Sequence, residues 1–492
     1  MKVRFCFGCF GAALASLLLL ASAAAAASGA GGTGGTGAVG GAGTPYACHL
    51  PGAEEALRCI KVSVALDDAA PPAPPLRLHV TVAPAFRESA HPDPLFVLAG
   101  GPGEAGSDVL PLLHHAFRRI RATRDIVLID QRGTGLSGKL DCASTPAHEA
   151  MSEAQLEAEI LACIARMTTR FSAYGTAHAA RDIETVRLAL GYGQINVWGG
   201  SYGSRLAQAY ARAYPQHLRA LMLDGVAAPD QVIPAGGRDS EAALDALFRQ
   251  CAFDPSCHKA FPAVRAEFAA LVKQVGAGQV NLTVADPRTT EPLKLAMSSA
   301  RFLGTVHSIL YSPQDSRRLP FLIHRAAQGR WEPFVARRNV AADFSAEGSN
   351  ALILYLAIIC AEDMPRLDAA LRADDASALT APMLERLPAL CRAMKVAPVP
   401  MAAPAMIAAP VLMLSGALDP VTPPRRAVAA GRHMARAQHL VVANAGHGIS
   451  QLGCAPRLLR EFLDNPNLPV QASCLKEIPV PAFQLGSAGP QP

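Results

Sequence analysis

The sequence predicts an α/β protein with a mostly parallel central sheet, helices on both faces, and a helical unit inserted late in the chain. Three observations carry that expectation. Continuous apolar runs at 95–99, 126–129, 195–198, 218–223, 411–414 and 439–442 have the length of strands buried on both faces. Helix-like periodicity lies between them at 152–167, 177–190 and 204–214, and strand–helix–strand repetition implies right-handed crossovers. Between 223 and 410 the strand rhythm stops, and helical patterns at 238–248, 263–275, 301–310 and 350–359 precede the last two strands.

Taken in order, the chain opens with Lys2 and Arg4, an apolar run to Leu20 and small residues to Ala27. This is the order of a secretory signal with an Ala-x-Ala cleavage site, so residues 1–27 are expected to be removed on export to the periplasm or beyond. An uncleaved anchor is the competing reading, because an Ala-rich span of this length can just cross a bilayer. With cleavage, no stable membrane association is expected. Residues 28–45 are almost wholly Gly, Ala and Thr, which predicts a flexible leader. The folded part divides into a first core segment at 46–228, the inserted helical unit at 229–405, a second core segment at 406–480 and a tail at 481–492. Alternation at 57–66 and 76–83 makes the first two strands an antiparallel pair.

At 492 residues the chain exceeds what one compact core holds. Half the residues are apolar and 17% are charged, a composition that excludes global disorder. A net charge of +5, with no charged tail, is too weak to indicate a nucleic-acid partner. Of the twelve cysteines, Cys6 and Cys9 lie in the signal. The others form neighbouring couples along an exported chain: Cys48 with Cys59, Cys142 with Cys163, Cys251 with Cys257, Cys360 with Cys391, and Cys454 with Cys474. Other pairings stay open at this level. Zinc is the competing use, but no CxxC pair and no finger-spaced CxxH is present, and no metal site is expected.

The chemistry concentrates at Gly199-Gly200-Ser201-Tyr202-Gly203, where a buried strand runs into a helix. This is G-x-S-x-G in the strand–turn–helix setting that a nucleophile elbow requires, which makes Ser201 the candidate nucleophile. A Gly-rich turn with a capping serine is the plain alternative. A serine hydroxyl needs a base to take its proton and an acid to orient that base. In an elbow fold these follow in the order acid, then His, at the ends of later strands. Asp419 follows the 411–414 run, with Pro420, Pro423 and Pro424 shaping the loop, and His447 sits in Asn444-Ala445-Gly446-His447-Gly448 after the next strand. Of 14 histidines only His447 has this setting. A developing oxyanion also needs donors, and the N–H groups of Gly101 and of Tyr202 are the candidates. The loop from Asp130 to Gly138 lacks the Gly-Lys-Ser/Thr of a phosphate loop and reads as a structural turn beside the site.

Five motifs together resemble the proline iminopeptidase and secreted tripeptidyl aminopeptidase family of α/β-hydrolases: Gly100-Gly101-Pro102-Gly103, the loop from Asp130 to Ser137, Gly199 to Gly203, Leu418 to Pro423, and Asn444 to Gly448. The resemblance spans about 95–474 and includes a Cys454-to-Cys474 segment similar to that of the secreted tripeptidyl branch. It implies an α/β-hydrolase fold with the inserted unit as its helical cap. It also implies a Ser201, His447, Asp419 triad, an oxyanion hole from Gly101 and Tyr202, and no cofactor. Family members hold the substrate's α-amino group with acidic residues in or beside the cap, and the nearest match is Glu362 with Asp363. A carboxylate in a half-closed cleft pairs with an ammonium and rejects blocked peptides; a solvated pair at a helix end is the alternative. Glu104 departs from the commoner Gly or Ser and is either a second amine contact or an exposed residue.

The expectation is an exported serine aminopeptidase acting on short peptides or peptide N-termini, releasing prolyl or tripeptidyl units through an acyl-enzyme. A secreted carboxylesterase or lactonase on the same triad is the alternative. A non-catalytic secreted scaffold is a third reading, against which the intact Ser, Asp, His order argues.

Overall fold

A computed structural model describes residues 41–67, 73–285, 289–343, 350–401 and 403–489. The expected signal and most of the leader lie outside these residues, so the structure does not bear on them. The strands are β1 (Tyr46–Cys48), β2 (Leu57–Val64), β3 (Leu76–Ala83), β4 (Leu95–Leu98), β5 (Ile126–Ile129), β6 (Ile195–Gly200), β7 (Leu218–Asp224), β8 (Asn281–Ala285), β9 (Pro292–Ala296), β10 (Ile407–Gly416) and β11 (Met434–Val442). The helices named below are α1 (Glu153–Arg166), α2 (Thr176–Ala189), α3 (Tyr202–Ala213), α4 (Gly237–Phe253), α5 (Ser299–Leu310), α6 (Leu352–Glu362), α7 (Ala381–Met394) and α8 (Ala455–Asp464).

Nine strands make one sheet in the order β1-β2-β3-β5-β4-β6-β7-β10-β11. Pairing is antiparallel from β1 to β5 and parallel from β5 to β11. The strand period of two explains why the central runs are almost wholly apolar, with Asn196 and Arg219 as their polar residues. Phe96, Leu98, Val127, Ile129, Leu221, Leu223, Val411 and Met413 bury into a core shared with α2, α3, α6 and α7. Their neighbours Leu95, Val97, Ile126, Leu128, Met222, Leu412 and Leu414 bury into a second core on the other face with α8. Both faces are covered, so the central strands are mainly apolar, and the buried Asn196 of β6 is hydrogen-bonded to Asp93 at 2.8 Å.

The chain leaves the sheet after Asp224 and rejoins it at Ile407. This stretch departs from the expected single helical unit in two ways. First, β8 and β9 form an antiparallel hairpin. Its strands bury only alternate residues, among them Val284 and Leu295, and five-residue alternations are too short to stand out from helix periodicity. Second, the stretch has two destinations. Residues of α4, α5 and the hairpin enclose their own core around Phe302, Trp331 and Phe334, whereas α6 and α7 pack on the sheet.

The leader, expected to be flexible to residue 45, is held from Gly41 onward: Gly43 N–H donates to Lys61 O at 2.8 Å, and Ala42 bridges to Val62. The reason is that backbone pairing along the β2 edge needs no side chains. All five cysteine couples are disulfides, with sequence separations of 11, 21, 6, 31 and 20 residues. Among the described residues, no helix is long and apolar enough to cross a membrane.

Candidate active site

Strand order reverses between β4 and β6, so the crevice at their C-terminal ends is the position where open α/β sheets bind ligands. The loop after β4 carries Gly100 and Gly101, and the turn after β6 carries Ser201. Ser201 has φ 54° and ψ −124°, a strained conformation for a residue with a side chain, at the step from β6 into α3. Its N–H donates to the Asp224 carbonyl at 2.9 Å. The flanking glycines are required by contact: a Cβ on Gly199 would stand 2.3 Å from the Gly203 carbonyl oxygen, and one on Gly203 would stand 2.1 Å from that of Leu98. The strain and the tight packing together lift the hydroxyl out of the sheet.

Asp419 is buried in the loop after β10. Its Oδ1 accepts the N–H groups of Val421 and Thr422, each at 2.8 Å, and its Oδ2 accepts the Thr422 hydroxyl at 2.8 Å. The same Oδ2 lies 2.8 Å from His447 Nδ1, so the imidazole donates from Nδ1 and keeps Nε2 as a base. Burial would raise the Asp419 carboxyl, but His447 and the loop donors outweigh it and hold it below the ordinary range. Burial would likewise lower His447, but Asp419, then Asp224 and Glu104, outweigh it and hold the imidazole above its ordinary value.

Two residues that hold His447 were not legible in the sequence. The buried Asp224 carboxylate accepts the N–H groups of Ile449 at 2.8 Å and Ser450 at 2.7 Å, which anchors the loop carrying His447. Gly225, at φ +65°, leaves the imidazole its space: a Cβ there would stand 2.9 Å from His447 Cε1. An Asp-Gly pair ending a buried strand was the available signal. From the inserted stretch, the Tyr311 carbonyl accepts the His447 N–H at 2.8 Å, and the Tyr311 ring stands edge-on to the imidazole at 5.0 Å. Ser201 and His447 thus both border the Asp224–Gly225 step, the serine through its N–H on the Asp224 carbonyl and the imidazole against Gly225. Among the described residues no hydrogen bond joins the Ser201 hydroxyl to His447, a contact that catalytic sites commonly tighten only when substrate is bound.

A cavity of about 430 Å³ opens over Ser201, with Gly101, Tyr202, His307 and Tyr311 in its wall and mostly apolar residues beyond, such as Leu352 and Leu387. Burial, with the His447 charge behind it, pushes His307 down to about 4, so it is a neutral imidazole near pH 7. Tyr202 opens α3, so its N–H has no carbonyl one turn back.

The expected amine-binding acids do not come to this cavity. Glu362 accepts the Thr176 N–H at 2.6 Å and hydroxyl at 2.7 Å, and it pairs with Arg205 at 3.2 Å. Asp363 is wholly buried, with both oxygens on Arg205 Nη1, at 2.9 and 3.0 Å, and one on Arg366 at 2.8 Å. Their acceptors are consumed in fastening α6 to α3, and Glu362 borders a different cavity of about 340 Å³. Glu104 is neither exposed nor in the wall of the Ser201 cavity: partly buried, its Oε2 accepts the Gly100 N–H at 2.8 Å. The Asp130 loop is structural, with its carboxylate on the N–H groups of Ser107 and Leu136, each at 2.8 Å. Among the described residues, no cluster of His, Cys, Asp or Glu is arranged to hold a metal ion.

Comparison with known proteins agrees with this architecture. Residues 93–260 match the model of the alpha/beta hydrolase fold, and residues 378–474 match that of TAP-like proteins. The chain is 27% identical over 300 residues to the serine protease Hip1 of Mycobacterium tuberculosis, covering 56% of this chain and 57% of that one. It is 37% identical over 137 residues to a probable proline iminopeptidase of Streptomyces coelicolor, 28% of this chain and 34% of that one. With the tripeptidyl aminopeptidase of Streptomyces lividans it shares 27% identity over 214 residues, 39% of this chain and 40% of that one. The chain therefore spans at most 57% of the length of these curated relatives. The sheet order, the strained serine turn and the two matches lead to one conclusion: the chain has the α/β-hydrolase fold.

Proposed function

We propose that this chain is an exported serine aminopeptidase that cleaves peptide bonds near free N-termini. The observation that carries the proposal is Ser201 held at φ 54° beside an Asp419–His447 pair joined at 2.8 Å. Ser201 Oγ attacks the scissile carbonyl while His447 Nε2 takes its proton, and Asp419 stabilises the imidazolium through Nδ1–H. The N–H groups of Gly101 and Tyr202 receive the oxyanion. The leaving amine takes the proton from His447, and water then hydrolyses the acyl-enzyme. Relatives named serine protease, proline iminopeptidase and tripeptidyl aminopeptidase support a peptide substrate, with prolyl or tripeptidyl release as the two options. Five disulfides and the expected signal support export.

A second reading, an ester or lactone hydrolase on the same triad, is favoured by one observation: Glu362 and Asp363 are spent on Arg205 and Arg366 rather than free for an ammonium. The test is turnover of prolyl, alanyl and tripeptidyl p-nitroanilides with free and acetylated N-termini, alongside p-nitrophenyl butyrate, by the wild type and Ser201→Ala. Cleavage of the free but not the acetylated amides, abolished in the variant, is expected. Turnover of the ester alone would replace the peptidase with an esterase.

A further inference from the structure

We propose that Glu104 is a positioning residue for the oxyanion donors, holding the Gly100–Gly101 peptide so that the Gly101 N–H faces Ser201. The inference rests on the serine-hydrolase reading above. Glu104 grips one glycine twice: its Oε2 accepts the Gly100 N–H at 2.8 Å, and its own N–H donates to the Gly100 carbonyl at 3.3 Å. In a trans peptide the carbonyl of one residue and the N–H of the next point in opposite directions. The backbone bond fixes the Gly100 carbonyl and with it the direction of the Gly101 N–H, while the carboxylate fixes the peptide on the other side of Gly100, so that the glycine cannot turn about that bond.

Gly100 also backs directly onto the nucleophile. A Cβ built on it would stand 3.0 Å from Ser201 Cβ and 3.3 Å from Glu104 Oε2, so the carboxylate, the loop and the serine share one contact region. The other ties of the loop are the Gly103 carbonyl, which accepts the Ala351 N–H at 2.9 Å, and the Ala99 carbonyl, which accepts Gln131 Nε2 at 3.1 Å, and neither acts on Gly100 or on the Gly101 N–H. Gly101 and Gly103 both have positive φ, and without side chains they leave the segment free to turn. Glu104 is the first residue of the loop with a side chain that can reach back.

The carboxylate has a second consequence through its charge. The charged and titratable groups facing His447 are Asp419, Asp224, Glu104 and His307, with the Tyr311 ring against it. Those facing Glu104 are Asp108 and His447. Burial, with Asp108 adding to it, holds the Glu104 carboxyl above its ordinary range; once ionised, it favours the His447 imidazolium.

The test uses p-nitrophenyl acetate, an activated ester that both functional readings accept, with the wild type, Ser201→Ala, Glu104→Ala, Glu104→Gln and Glu104→Asp, each checked by circular dichroism and Tm. Glu104→Ala is expected to lower kcat by roughly tenfold to a hundredfold with KM within about threefold, because the donor is misaimed rather than removed. Glu104→Gln keeps an oxygen for the Gly100 N–H and recovers most of that loss. A wild-type kcat in Glu104→Ala, or a kcat in Glu104→Gln no higher than in Glu104→Ala, overturns the proposal. Should Glu104→Ala fail to fold, Glu104→Asp decides: it sets the carboxylate one methylene back from the Gly100 N–H, kcat is expected to fall with KM little changed, and a wild-type kcat there overturns the proposal. A wild type with no Ser201-dependent turnover overturns the hydrolase reading and this proposal with it, an outcome distinct from normal turnover that is indifferent to Glu104.

Discussion

Residues that never touch a substrate set the chemistry of this site. Gly225 is the sharpest case, since its absent side chain is the space that His447 occupies. Gly225→Ala places a methyl against the imidazole and forces a residue with a side chain into positive φ, at a cost of about 1–2 kcal/mol. Turnover is expected to fall at least about tenfold, as a displaced catalytic group does, while circular dichroism stays that of the wild type. His447 also predicts the pH profile. Its conjugate acid is held above the ordinary value of about 6.5, and only the neutral form can act as the base. The account therefore predicts that kcat/KM falls as pH drops through a point above that value. Asp419→Asn removes the anion that stabilises the imidazolium, so the limb moves to lower pH and kcat falls by about four orders of magnitude. An acid limb that stays in place in Asp419→Asn would contradict the pairing.

At the scale of elements, the Glu362, Asp363, Arg205 and Arg366 cluster ties α6 to the helix that begins just after Ser201. Removing one partner of a buried ion pair leaves a charge uncompensated, at a cost of about 3–5 kcal/mol. Asp363→Ala is thus expected to lower Tm strongly while leaving the preference for free over acetylated substrates as it was. A preserved Tm with that preference lost would return these carboxylates to the amine-binding role. The sequence showed two acids at a helix end with Arg366 three residues on, but Arg205, which both acids engage, lies more than 150 residues away. Long-range polar pairing leaves no periodic trace, whereas the elbow is written in consecutive residues. That difference separates what could be read in advance, Ser201 with Asp419 and His447, from what could not, Asp224, Gly225 and the role of Glu104. The central strands were legible because burial on both faces leaves them mainly apolar. At the edge, β11 exposes Ala435 and Arg436, so only its apolar end at 439–442 stood out.

Across the whole molecule, one sheet with two covered faces meets an inserted stretch that contributes the Tyr311 carbonyl and ring to the histidine. The disulfides are local staples of unequal span. In the loop-closure account, replacing Cys360 and Cys391, 31 residues apart, costs about 4 kcal/mol, against about 2 kcal/mol for Cys251 and Cys257, 6 residues apart. Denaturant unfolding of the two double variants should show that order, and equal losses would point to native-state packing rather than chain entropy. The central claim concerns Ser201 itself and is tested most directly by phosphonylation with a fluorophosphonate followed by peptide mass mapping. The account predicts a single stoichiometric adduct on the peptide containing Ser201, with labelling lost in Ser201→Ala and strongly slowed in His447→Ala. An adduct on another residue, or a His447→Ala variant that labels at the wild-type rate, would contradict it.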